Sequence, residues 1–136
     1  MKRAMALVVF AACGSPDHRL EDGLNNLALG LERELDRLEQ KTAVGQPCYP
    51  VADGYYHHEI PDFGHDVAKT RRDLEVVTAY AAIYLDVYKT EAGPRFDRFA
   101  KRYNAWLTGP HARALDGCKR CIDDLNGADV GSCAIR

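Results

Sequence analysis

The stretch Leu20–Leu38, LEDGLNNLALGLERELDRL, decides the fold class. Its leucines recur at spacings of three and four residues, the repeat that places side chains on one face of an α-helix; they are Leu20, Leu24, Leu27, Leu31, Leu35 and Leu38. Charged residues fill most other positions of its second half. The stretch therefore predicts an amphipathic helix that forms one wall of an intramolecular bundle. A coiled coil with a partner is the alternative, although the stripe is short for one.

Three further helical segments are predicted downstream. The second helix is placed near residues 65–90 with Asp62 as its cap, the third after Gly93-Pro94, and the fourth from residue 112 to Asn126-Gly127. Thr108-Gly109-Pro110 predicts a break between the last two helices. No run alternates as a strand does. The sequence therefore predicts an all-α, small antiparallel bundle of about four helices, stapled by disulfides.

A long loop is expected between the first two helices, over residues 43–64. Three prolines, three glycines and the Asp53-Gly54 step oppose helix formation there. A connection of this length in a small domain is usually tied down or functional.

Length and charge narrow the function classes. The chain has 136 residues, with 18 basic and 20 acidic side chains and a formal charge of −2. This length suits one domain. The near-neutral balance lacks the basic footprint of a nucleic-acid binder, so no nucleic-acid partner is expected.

The N-terminal thirteen residues, MKRAMALVVFAAC, have the character of an export signal. Two basic residues precede nine apolar ones, and small residues stand directly before Cys13. The stretch Phe10-Ala11-Ala12-Cys13 resembles the lipobox of bacterial lipoproteins. The alternative is the buried start of an element in a cytosolic protein.

The lipobox resemblance implies a division of the chain and a location. Residues 1–12 would be a signal peptide, residues 13–16 a lipidated N-terminus and tether, and residues 17–136 a single helical domain. Cys13 would carry the acyl chains, palmitate among them, so the membrane is a partner through this anchor. Gly14 after the cysteine implies the outer membrane, with the domain facing the periplasm.

Four cysteines remain besides Cys13, namely Cys48, Cys118, Cys121 and Cys133. An even number in an exported protein predicts two disulfides, with three possible pairings. Two alternatives stay open at this point: a redox pair formed by Cys118 and Cys121, and a zinc site built from all four thiolates. A c-type haem is excluded because Ile122 stands where the motif requires histidine.

The strongest polar cluster lies in the expected loop, around residues 55–66. His57, His58, Glu59 and His65 carry imidazole and carboxylate groups, which suit zinc or copper. The alternative is a solvated polar loop. No metalloprotease motif, serine-nucleophile motif or glycine-rich phosphate loop is present.

The sequence thus predicts an envelope lipoprotein with a binding or structural role, no enzymatic activity and no cofactor. A protein partner would dock on a helix face or on residues 43–64. The alternative function is a periplasmic metal-binding or metal-sensing protein that uses the four residues His57, His58, Glu59 and His65.

Overall fold

The computed structural model describes residues 16–84, 92–126 and 129–136. The signal-like stretch and Cys13 lie outside these ranges, as do residues 85–90 of the predicted second helix. The described elements are helices, listed here in chain order: α1 (Pro16–Lys41), α2 (Tyr49–Ala52), α3 (Gly54–Tyr84), α4 (Ala92–Trp106), a π-helical turn (Leu107–His111), α5 (Ala112–Leu125) and a 3-10 turn (Val130–Ser132). The predicted all-α class and the packing of helices into a bundle are confirmed.

Helix α1 packs through one face against the other helices of the same chain. Its buried positions recur every three or four residues: Leu24, Ala28, Leu31, Leu35 and Leu38. Ala28 occupies the place predicted for Leu27, whose side chain is 48% exposed. The helix ends at Lys41, and Gly45 then takes a left-handed backbone with φ of 90°. The stripe thus forms one wall of the bundle, as predicted.

The directions of the helices follow from their contacts. Arg95 of α4 pairs with Glu32 of α1, and Arg102 further along α4 pairs with Glu39 further along α1, so these two helices run parallel. Helix α3 runs opposite to both, since Phe63 packs on Phe99 while Arg71, later in α3, lies over the earlier Phe96. The buried face of α4 is largely aromatic and fills the space between the helices, with these residues buried: Phe96, Phe99, Tyr103 and Trp106.

The expected loop over residues 43–64 is wrong for its second half, because α3 begins at Gly54 and runs through Pro61. Asp53 accepts the Tyr55 N–H at its side chain (3.3 Å) and the His57 N–H at its carbonyl (3.3 Å). Asp53 rather than Asp62 therefore caps this helix. Its buried stripe spans the proline: Tyr56, Phe63, Val67, Thr70 and Leu74. This burial offsets the hydrogen bond that Pro61 cannot donate.

The expected break at Thr108-Gly109-Pro110 is also wrong. The chain passes from α4 into α5 through the π-helical turn, with right-handed helical backbone at Trp106, His111 and Ala112. Pro110 has no N–H to donate to the Trp106 carbonyl four residues earlier. A π-helical turn contains one more residue than an α-helical turn, so it accommodates the missing hydrogen bond without ending the helix. Helices α4 and α5 are therefore successive parts of one continuous helical segment.

Two disulfides join the loop after α1, helix α5 and the C-terminal tail, and they give the pairing that the sequence left open. Cys48 joins Cys118, and Cys121 joins Cys133, with Cα–Cα distances of 5.4 and 6.0 Å. The C-terminal tail also pairs with the loop after α1, because the Cys48 N–H donates to the Cys133 carbonyl (2.8 Å) and the Ile135 N–H to the Gln46 carbonyl (2.8 Å). The tail is thus held by the Cys121–Cys133 disulfide and by backbone hydrogen bonds.

Candidate functional site

The histidines of the predicted metal cluster lie on the surface of α3. His57, His58 and His65 are all exposed. Neighbouring residues of a helix point about 100° apart, so the first two diverge. His58 and His65 share a face but stand two turns apart, about 10 Å along the axis. The helix therefore separates imidazoles that a loop could have brought together.

Glu59, the fourth predicted ligand, serves as an ion-pair partner instead. Its carboxylate accepts a salt bridge from Lys41 (3.2 Å) and one from Arg37, and only 10% of its side chain is exposed. Burial, and then the neighbouring Arg37 charge, lower the pKa of Lys41. Across residues 16–84, 92–126 and 129–136, no group of three or more histidine, cysteine or acidic side chains is placed to hold a metal ion.

The cysteines show neither of the two alternative chemistries. Cys118 and Cys121 lie one turn apart on α5 but are bonded to different partners, Cys48 and Cys133. No thiolate remains among these four for a zinc site, and Cys118 and Cys121 do not form a redox pair with each other. The disulfides act as cross-links between the loop, the last helix and the tail.

A groove that the sequence did not predict lies beside the π-helical turn. It encloses about 480 Å³, within the size range of ligand sites. The end of α1 and the loop after it, the end of α4, the π-helical turn and the start of α5 line it, with these residues: Glu39, Thr42, Ala43, Val44, Arg102, Ala105, Trp106, Pro110 and Arg113. Val44 at its edge is 79% exposed, the largest exposed fraction among the big apolar side chains described.

The indole of Trp106 is fixed in one wall of this groove. Its Nε1–H donates to the Thr42 hydroxyl (2.8 Å), and that hydroxyl donates to the Leu38 carbonyl (3.1 Å). Both Trp106 and Thr42 are buried. A buried indole N–H needs such an acceptor, so the pair links α4 rigidly to the end of α1.

Behind Trp106, a buried polar contact joins α3 to the π-helical turn. The Tyr56 hydroxyl lies 2.6 Å from Nδ1 of His111, and the imidazole packs on the Trp106 rings with 4.8 Å between centroids. Burial lowers the pKa of His111, and the charge of nearby His57 lowers it further. Burial also raises the pKa of Tyr56. Both groups are therefore uncharged at neutral pH.

The sequence contains a spacing pattern that indicates a buried side chain at His111, but the neighbouring Gly109-Pro110 makes the pattern hard to recognise. Apart from Ala100, which lies beside Phe99, the buried positions from α4 to α5 are 92, 96, 99, 103, 106, 111, 114 and 118. One spacing of five interrupts the threes and fours, which is the mark of one inserted residue in a helix. Because Gly109-Pro110 resembles a chain break, the slip is visible only if the helix is assumed to continue.

The comparisons with known proteins supply no analogy for this site. No protein-family model matches the chain, and no match is found among curated proteins or among solved structures. Among the helices described, none is both long enough and apolar enough to cross a membrane. Any function must therefore be argued from the residues themselves.

Proposed function

We propose that this chain is an exported lipoprotein of the bacterial envelope, anchored at the outer membrane through Cys13, whose periplasmic helical domain binds a partner protein and does not catalyse a reaction. The anchor is the acyl chain, and the domain needs neither metal nor cofactor. The cysteine arrangement is the observation that carries this proposal.

The four downstream cysteines form two disulfides, Cys48–Cys118 and Cys121–Cys133. Stable structural disulfides belong to oxidising compartments such as the periplasm. The fifth cysteine, Cys13, is the one that the lipobox-like stretch assigns to lipid. A cysteine left outside the disulfide pairs of an exported protein requires an explanation, and lipidation of Cys13 provides one.

The groove beside Trp106 is the surface that best fits a partner. Val44 and Pro110 offer apolar contact, and Arg113 adds a cation that forms no salt bridge among the described residues. Arg102, in contrast, is paired with Asp36 and Glu39. We expect the partner segment to present an apolar side chain beside a carboxylate, so that Arg113 pairs with it.

Intact-mass analysis of the membrane fraction tests the anchor. The full chain, expressed in a bacterial host, should lose residues 1–12 and gain acyl mass, and its four remaining cysteines should alkylate only after reduction. Cys13→Ala should remain unprocessed and unacylated. An unprocessed wild-type chain with free thiols would refute both the export and the anchor.

Site-specific photo-crosslinking in cells tests the groove. A photoreactive residue at position 44 should capture one defined protein, while the same residue at position 76 should not. Val76 is a matched control because it is also exposed, at 69%, but does not line the groove. Arg113→Glu should abolish the adduct at position 44. Equal capture from both positions would refute the groove as the docking surface.

A further inference from the structure

The His111 side chain differs from the other buried polar groups described. Thr42 and Thr70 are also buried, but their polar groups are hydroxyls that do not titrate, and each donates to a carbonyl four residues earlier. His111 carries a titratable imidazole, and it bonds to Tyr56, which lies 55 residues earlier in the chain on another helix. This hydrogen bond therefore joins the first turn of α3 to the π-helical turn.

The groups around the imidazole offer no counter-charge for an imidazolium. From α3 it faces Tyr56 and the second imidazole of His57, and from α4 it faces the neutral Trp106. On the α5 side the next charged residue in the chain is Arg113, a cation. The salt bridges among residues 16–84, 92–126 and 129–136 all join carboxylates to lysine or arginine, and none reaches this ring.

We infer that protonation of His111 opens the contact between the start of α3 and the π-helical turn, which makes this joint an acid-sensitive latch. We assign the acceptor role to Nδ1 in the neutral imidazole, with the ring hydrogen on Nε2. Protonation then converts Nδ1 into a donor, so the Tyr56 hydroxyl can no longer donate to it and must turn to accept. The buried imidazolium then has a neutral hydroxyl beside it but no counter-charge, and water that enters between the two elements would solvate it.

The direction of the pH dependence follows from burial. The native pKa of His111 lies below its ordinary value of 6.5, so the unfolded or opened state binds the proton more readily. The closed joint therefore has its full stability above about pH 6.5 and loses it progressively as the pH falls below that value.

The latch adjoins the groove because Trp106 contacts His111 and also lines the groove. Control of partner binding by acid rests on the proposed function, whereas opening of the joint does not. The two are distinguished by measuring the joint in the purified chain, with no partner and no membrane present.

The sole tryptophan of the chain makes the joint directly observable. The emission of a buried indole moves to longer wavelength when water reaches it. As the pH falls from about 7.5 to about 4.5, wild-type emission should shift to the red with a midpoint below 6.5, while far-UV circular dichroism stays helical. Hydrogen exchange should rise at residues 54–60 and 107–112 and not in the middle of α1.

Three variants separate the latch from general acid unfolding. His111→Asn keeps an acceptor near the position of Nδ1 and should remove the emission shift. His57→Gln, on the exposed neighbouring ring, should retain it. Tyr56→Phe should move the midpoint upward toward 6.5, because the neutral imidazole loses its donor. A flat wild-type profile, an unchanged shift in His111→Asn, or loss of helix with the same midpoint would overturn the inference.

Discussion

Removing one disulfide at a time should reveal very different contributions to stability. In the chain-entropy treatment, a cross-link stabilises the fold by restricting the unfolded chain, more strongly for a longer loop. The Cys48–Cys118 bond spans 70 residues and the Cys121–Cys133 bond spans 12. At 25 °C these loops give ~4.4 kcal/mol for the first bond and ~2.8 kcal/mol for the second. The two loops follow each other without overlapping, so the estimates apply separately.

Packing should widen this difference. Cys48 and Cys118 are both buried, at 0% and 2% exposure, and each contributes to the core cluster. In the second pair Cys133 is also buried, at 2% exposure, but Cys121 is only half-buried. Replacing the first pair by alanine therefore leaves unfilled space in the core, whereas replacing the second leaves part of its space open to solvent. The difference between the two double variants should be at least ~1.5 kcal/mol.

Urea unfolding followed by far-UV circular dichroism measures this difference. Both double variants, C48A/C118A and C121A/C133A, should be made in a Cys13→Ala background, so that no odd thiol can exchange with the remaining bond. C48A/C118A should have clearly the lower midpoint. If C121A/C133A costs as much stability or more, the long cross-link is not the main covalent constraint and the reasoning from loop length fails.

Four further outcomes are expected. Thr42→Val leaves the Trp106 N–H without its acceptor and should lower the free energy of unfolding in urea by ~1–3 kcal/mol. Thr108→Val is the control, because its exposed hydroxyl bonds only to the Asn104 carbonyl four residues earlier, and it should lower that free energy far less. Glu59→Gln should destabilise more than Asp116→Asn, because Glu59 is nearly buried between two cations and Asp116 pairs on the surface; equal losses would contradict this. The Arg95 guanidinium lowers the pKa of Glu32 below 4.5. The stabilisation from this pair is therefore present above that pH and is lost as the pH falls. Glu32→Gln should flatten the dependence of unfolding free energy on pH between about pH 5 and pH 3. Added zinc should leave the thermal midpoint unchanged, and a rise that His58→Ala removes would restore the metal-binding alternative.

Periodicity predicted the parts of the fold in which one face of a helix is simply apolar. The leucines of α1 indicate its buried face directly, and this helix lies where their spacing places it. Leu27 and Ala28 show the limit of this argument. A spacing of three or four tolerates a shift by one residue, and only the neighbouring helices decide which side chain is buried.

Both errors about helix continuity fall at prolines. Pro61 and Pro110 oppose a helix by about 3 kcal/mol each when judged locally. At Pro61 the burial of Tyr56 and Phe63 on either side supplies about 1.5–3 kcal/mol for each ring, and this gain exists only once the other helices are in place. Tertiary burial therefore decides whether these sites end a helix, and sequence propensity alone cannot supply it.

The same separation of local pattern from tertiary contact applies to the histidines. His57, His58 and His65 are conspicuous because they are close in sequence, but a helix turns neighbours apart and leaves each of them in solvent. Tyr56 and His111 are 55 residues apart and meet in the core, where low polarity makes a hydrogen bond and a proton count for most. The irregular spacing of buried residues therefore marks the polar contact better than sequence proximity does, because the spacing of five between Trp106 and His111 is where this helix turns a polar side chain inward.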